Sequence, residues 1–88
     1  MKKEKKQQLK KIRDKIDNID EKILSLLNQR AEQAKKTTKL KTDSVYDPKR
    51  EKEVLGKLAR KKSRVLSPLA VEQVYGEILS ACREVQAP

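Results

Sequence analysis

The chain has 88 residues, of which 41% are charged and 2% aromatic, with no Phe and no Trp. This excludes a core built on large rings and favours helices packed through Leu, Ile and Val. Lys and Arg number 23 against 13 Asp and Glu, a formal net charge of +10, so the expected partner is an anion: nucleic acid, acidic membrane or a small acid. A single cysteine, Cys82, and the lack of His exclude an internal disulfide and a zinc site of the Cys/His kind, and fit a reducing, cytoplasmic setting. At this length the chain is one domain whose lone copy buries a modest core, so a partner chain is expected.

The N-terminal MKKEKKQQLKK is basic, and no apolar segment of signal-peptide length follows it. No run approaches the ~20 apolar residues of a membrane span. Residues 1–8 are expected to fray. From Leu9 the apolar residues fall at Leu9, Ile12, Ile16, Ile19, Ile23 and Leu26, alternating steps of three and four that mark the seam of a long helix packed on another helix. Neither Gly nor Pro interrupts residues 5–41, and a helix over that span is roughly 54 Å long, more than the rest of the chain can cover. Part of the seam is therefore expected to pack against a second copy.

The seam breaks at residue 30, where the next core position is an arginine. Beyond it the same face carries Gln33, Ala34, Thr37, Thr38 and Lys41, so the stripe turns polar and cationic while the helix continues. Either packing stops there and the stripe emerges into water, with the Arg stem lying along the surface, or the cations form a site. Continued helix brings Arg30 and Lys41 to within ~20° of one face, roughly 16 Å apart, a spacing that two long side chains can close on a small dianion. Arg13 lies roughly 26 Å from Arg30 along the axis, too far to share a ligand within one chain but within reach from an antiparallel partner.

TDSVYDP collects turn formers and a proline, which predicts the end of the first helix near Thr42. Asp47 then serves as N-cap and Pro48 as first helical residue of a second helix reaching about Ser63, with Val54, Leu55 and Leu58 on its buried face. Ser67 and Pro68 repeat the signal, and Val71, Val74, Tyr75, Ile78, Cys82 and Val85 form the apolar stripe of a third helix. Cys82 and Gln86 share one face at i and i+4. Taken alone, Cys82 reads first as a small core thiol, followed by Gln86 as a fraying polar helix end. The fold class is all-α, with one long, one short and one medium helix.

With Arg13, Arg30, Lys41, the DPxRE stretch and Gln86 in this order, the chain resembles the all-helical chorismate mutases, which form small intertwined helical homodimers. The likeness runs from IRDKIDNIDEKILSLLNQR through LKTDSVYDPKREKEVL to VYGEILSACREVQ, and makes residues 1–88 one mutase domain, stand-alone or part of a bifunctional enzyme of aromatic amino-acid biosynthesis. Members of this class convert chorismate to prephenate, a step toward phenylalanine and tyrosine, by an intramolecular Claisen rearrangement that needs no cofactor and no metal. Carried over residue by residue, the resemblance implies that Arg30 and Arg13 of the partner subunit pair with the substrate carboxylates. Lys41 and Gln86 would donate to the ether oxygen, Lys41 also reaching a carboxylate. Glu51 would accept from the ring hydroxyl with the backbone near Asp47 assisting, and Arg50 would line the pocket and balance Glu51. Cys82 stands where the family usually has a hydroxyl residue near a carboxylate. Two further departures are a connection between Lys41 and Asp47 that is shorter than is common, and Thr38 where glycine is frequent.

The basic runs KKEKK and KLARKKSR (residues 57–64) keep a second reading open: a dimeric helical module that binds nucleic acid without catalysis. Against it stand the lack of an aromatic platform for bases and of a recognisable helix-turn-helix.

Overall fold

The structure is a computed structural model that describes residues 2–40, 46–61 and 63–86. It contains three helices, α1 (Lys2–Thr38), α2 (Pro48–Arg60) and α3 (Pro68–Gln86), and no strand among the described residues. Residues 2–8, where fraying is expected, continue α1 as exposed helix, since nothing in their sequence interrupts the i to i−4 ladder.

The two later helices begin as their capping signals predict. The backbone N–H of Arg50 donates to Oδ1 of Asp47 at 3.0 Å, and that of Ala70 donates to Oγ of Ser67 at 3.1 Å. Pro48 and Pro68 follow as first helical residues, where a missing N–H costs nothing.

The ends differ from expectation. Helix α1 stops at Thr38, with Lys39 and Leu40 in a tightened turn whose N–H groups reach back three residues, to Lys36 and Thr37. One cause lies one residue earlier, where the Thr37 hydroxyl donates to the Ala34 carbonyl at 2.7 Å and competes for a helical acceptor. The continuous-helix argument that puts Arg30 and Lys41 on one face therefore loses its support at Thr38, and Lys41 itself lies outside the described residues. Helix α2 ends at Arg60 instead of Ser63: Lys61 turns to extended backbone, and Oγ of Ser63 accepts from the N–H of Leu66 at 2.9 Å, starting a new turn.

Helix α3 is the common support on which α1 and α2 both pack. Its buried residues are Leu79 and Cys82, while Val71, Tyr75 and Ile78 of the expected stripe are half-buried and Val74 and Val85 are exposed. Leu79 escapes the predicted stripe because α3 touches a helix on each side, which widens its contact face beyond a single seam.

The long seam of α1 has no counterpart among the described residues: Leu9, Ile12, Ile16, Ile19 and Ile23 are 45–55% exposed. The radius of gyration is 17.5 Å, against about 12 Å for a compact domain of this length. Burial of a large apolar side chain contributes roughly 1.5–3 kcal/mol, and ordering each residue's backbone costs about 1–2 kcal/mol. The two buried residues of α3 thus leave most of α1 without tertiary support.

Candidate active site

The C-terminal third of α1, the first turns of α2 and the last two turns of α3 enclose a cavity of about 440 Å³. Arg30 enters from α1. It is half-buried, and its Nη1 donates to Sγ of Cys82 at 3.0 Å across the α1–α3 contact. Sulfur is a weak acceptor, so this bond orients the guanidinium while its other N–H groups keep their full capacity. One turn along α1, Ala34 and Thr37 line the same wall.

Gln86 closes the cavity from the end of α3. Its Nε2 donates to the Ala34 carbonyl and to Oγ1 of Thr37, both at 2.9 Å, so both amide hydrogens point at α1. The amide is thereby held at the seam between the first and third helices with its position set by two acceptors.

The opposite wall is the start of α2. The Asp47 cap fixes the first turn, and one turn in, Asp47, Arg50, Glu51 and Val54 all line the cavity. Glu51 is not balanced by Arg50, contrary to what the family resemblance implies. Arg50 lies 3.6 Å from Glu53 on the same helix, whereas both oxygens of Glu51 accept from Nη1 of Arg83, at 2.8 and 2.7 Å. An i, i+3 partner is simply nearer for Arg50 than a residue one position away, which points to a different side of the helix.

Six of the positions singled out from the sequence, Arg30, Asp47, Arg50, Glu51, Cys82 and Gln86, thus meet around one cavity. Arg13 does not join them within this chain: it lies on the exposed half of α1. Lys41 falls outside the described residues. Gln33 and Thr37 of the polar face that follows Arg30 line the cavity, and so does Arg83, which the sequence does not mark. No local pattern marks Arg83, whose partner Glu51 lies 32 residues away in sequence. Thr38, where glycine is frequent in the family, is exposed at the end of α1 and is not part of the lining.

The sequence matches the family described as chorismate mutase type II over residues 12–87. The chain belongs to the type II chorismate mutase family. Among its relatives, the bifunctional chorismate mutase/prephenate dehydratase of Aquifex aeolicus is 37% identical over 87 residues, covering 91% of this chain and 24% of that protein. The enzyme of the same description from Neisseria gonorrhoeae is 39% identical over 77 residues, covering 86% and 21%. The chain therefore spans about a quarter of the length of these curated relatives. The crystal structure of chorismate mutase from Helicobacter pylori in complex with prephenate superposes with a TM-score of 0.84 at 32% identity, covering 89% of this chain and 88% of that one. A chorismate mutase fold thus accounts for all three helices, and no described helix is long and apolar enough to cross a membrane.

Proposed function

We propose that the chain catalyses the rearrangement of chorismate to prephenate, as a homodimer with two equivalent pockets each built from both subunits. The observation that carries this reading is the meeting of Arg30, Glu51 and Gln86 around one cavity of about 440 Å³ in a member of the chorismate mutase family. The basic runs of the nucleic-acid reading, residues 2–6 and 57–64, contribute no described residue to that cavity.

In the rearrangement the ether carbon–oxygen bond breaks as a new carbon–carbon bond forms, within one molecule and with no net proton or electron transfer. The protein's task is to hold a flexible dianion in its compact reactive conformer and to meet negative charge developing on the ether oxygen. Arg30 pairs with one substrate carboxylate through a fork already oriented by Cys82, and Arg13 of the partner subunit pairs with the other. Gln86 and Lys41 donate to the ether oxygen, where charge is larger in the transition state than in the ground state, so they act on rate more than on binding. Glu51 accepts from the ring hydroxyl, and Asp47 positions the first turn of α2 that carries it. Arg50 lines the outer wall.

The first test is direct: purified protein consumes chorismate, read as loss of its absorbance with prephenate as product, in buffer containing chelator and no nucleotide. Unchanged chorismate in the presence of a dimer of correct mass would remove the proposal.

Cys82 offers a milder test. Serine in its place accepts from Arg30 better than sulfur does and fits the same volume. Cys82→Ser is expected to keep kcat/KM within about threefold of wild type, the scale of one exchanged hydrogen bond. A loss of a hundredfold would show that the thiol has a role of its own.

A further inference from the structure

Arg83 lies where α3 meets α2, and its guanidinium has three neighbours of different kinds. Nη1 donates to both oxygens of Glu51, carbon ζ lies 4.7 Å from the centroid of the Tyr46 ring, and the side chain lines the cavity. A guanidinium flanked by a ring and held end-on by a carboxylate has few rotamers left. Glu51 is oriented in turn. Both of its oxygens face Arg83, yet an ionised carboxylate offers about four lone-pair sites, so each oxygen retains capacity for a further donor.

Charge supplies the second half of the inference. A carboxylate in the wall of a pocket for a dicarboxylate repels its ligand unless a cation cancels it. Arg50 does not serve, because its ion pair is with Glu53. Arg83 does, over 2.7 Å, with the two side chains 34% and 20% exposed. At that exposure the pair is screened less than one on the open surface, without the full desolvation cost of a buried one.

We infer that Arg83 is a positioning residue of the substrate pocket: it turns the Glu51 carboxylate so that its remaining lone pairs receive a substrate hydroxyl, and it cancels the charge that would repel a dianion. The inference rests on the mutase reading above and extends it to a residue that does not itself touch the reacting atoms.

The test compares wild type, Arg83→Met, Glu51→Gln and the double variant, each measured for kcat and KM with chorismate, for Kd with prephenate by calorimetry, and for thermal unfolding. Arg83→Met is expected to raise KM and the prephenate Kd roughly tenfold, the effect of leaving a partly exposed like charge facing the ligand. The double variant is expected to lower both values from those of Arg83→Met, because the carboxylate that repels the ligand is then gone. Arg83→Lys, which keeps the cation, is expected to stay within a few-fold of wild type in KM. A purely structural role would lower the unfolding temperature and leave KM and Kd unmoved. A direct ligand role would leave the double variant as impaired as Arg83→Met. Either result overturns the inference. Should Arg83→Met fail to fold, Arg83→Gln with its Glu51→Gln double carries the same comparison. If wild type binds prephenate but does not turn over chorismate, the functional proposal fails, and the prephenate Kd values still decide the role of Arg83.

Discussion

Arg30→Ala is expected to lower kcat/KM for chorismate by about a thousandfold, with helix content and oligomeric mass unchanged. A guanidinium fork on a carboxylate in a partly dehydrated pocket is worth on the order of 2–5 kcal/mol when truncated, which spans about thirtyfold to several thousandfold. The upper range applies because Arg30 is half-buried and already aimed by its bond to Cys82, so little is spent on ordering it. The loss should appear in both KM and kcat, since the carboxylate is present throughout the reaction. Lys41→Ala and Gln86→Ala separate from it in form. Each is expected to lower kcat by roughly a hundredfold to a thousandfold with a small change in KM, because the ether oxygen gains its charge only on the way to the transition state. Under the proposed mechanism, the Gln86 amide hydrogen now on Oγ1 of Thr37 is the one that would turn to the ether oxygen, while the other stays anchored on the Ala34 carbonyl. Steady-state kinetics on the three variants, with circular dichroism as control, checks the pattern. Wild-type turnover in folded Lys41→Ala would remove the assigned mechanism, and a KM-only effect in Gln86→Ala would remove its role at the ether oxygen.

The parts of this site that are legible in the sequence are those fixed by local rules. Asp47 before Pro48 and Ser67 before Pro68 state their own caps, because the side-chain acceptor and the missing N–H act within four residues. The position of Arg30 follows from the period of the seam, since the apolar steps point to it before the residue there is known. The remainder depends on contacts that periodicity does not carry. One contribution to the end of helix α1 at Thr38 is a neighbouring hydroxyl that takes an acceptor, a competition between hydrogen bonds that composition alone does not decide. Arg83 lies beside the apolar stripe of α3, and its partner on α2 is 32 residues away in sequence. Reading it required knowing which side of α2 docks there. Arg50 shows the converse: the family resemblance implies that it balances Glu51, and the helix turns the two charges to different sides. Leu79 lies outside the single apolar stripe for a related reason, since α3 serves two neighbours.

Ile16→Glu combined with Ile19→Glu is expected to abolish the folded state at micromolar protein, leaving a monomer of low helicity, whereas Glu21→Lys on the opposite face of α1 should leave dimer mass and helicity unchanged. Ile16 and Ile19 are 49% and 53% exposed within one chain, at the centre of a seam that runs from Leu9 to Leu26 and that no described residue of the chain covers. Returning half of each such side chain to an apolar contact contributes on the order of 1 kcal/mol. Six positions on each of two chains thus supply stabilisation comparable to the total stability of a small domain. A carboxylate introduced into that contact costs several kcal/mol unless it is protonated or paired, and the symmetry of a homodimer doubles every substitution. Sedimentation for mass and far-ultraviolet circular dichroism for helicity decide the matter. A folded monomer in the double variant would show that α1 needs no second copy. It would also separate Arg13 from the pocket, since that residue lies on the same exposed half of α1 and reaches a substrate only if another chain's cavity is brought against it. Assembly and catalysis are therefore expected to fail together: the seam that lacks a cover and the pocket that lacks its second carboxylate fork call for the same partner.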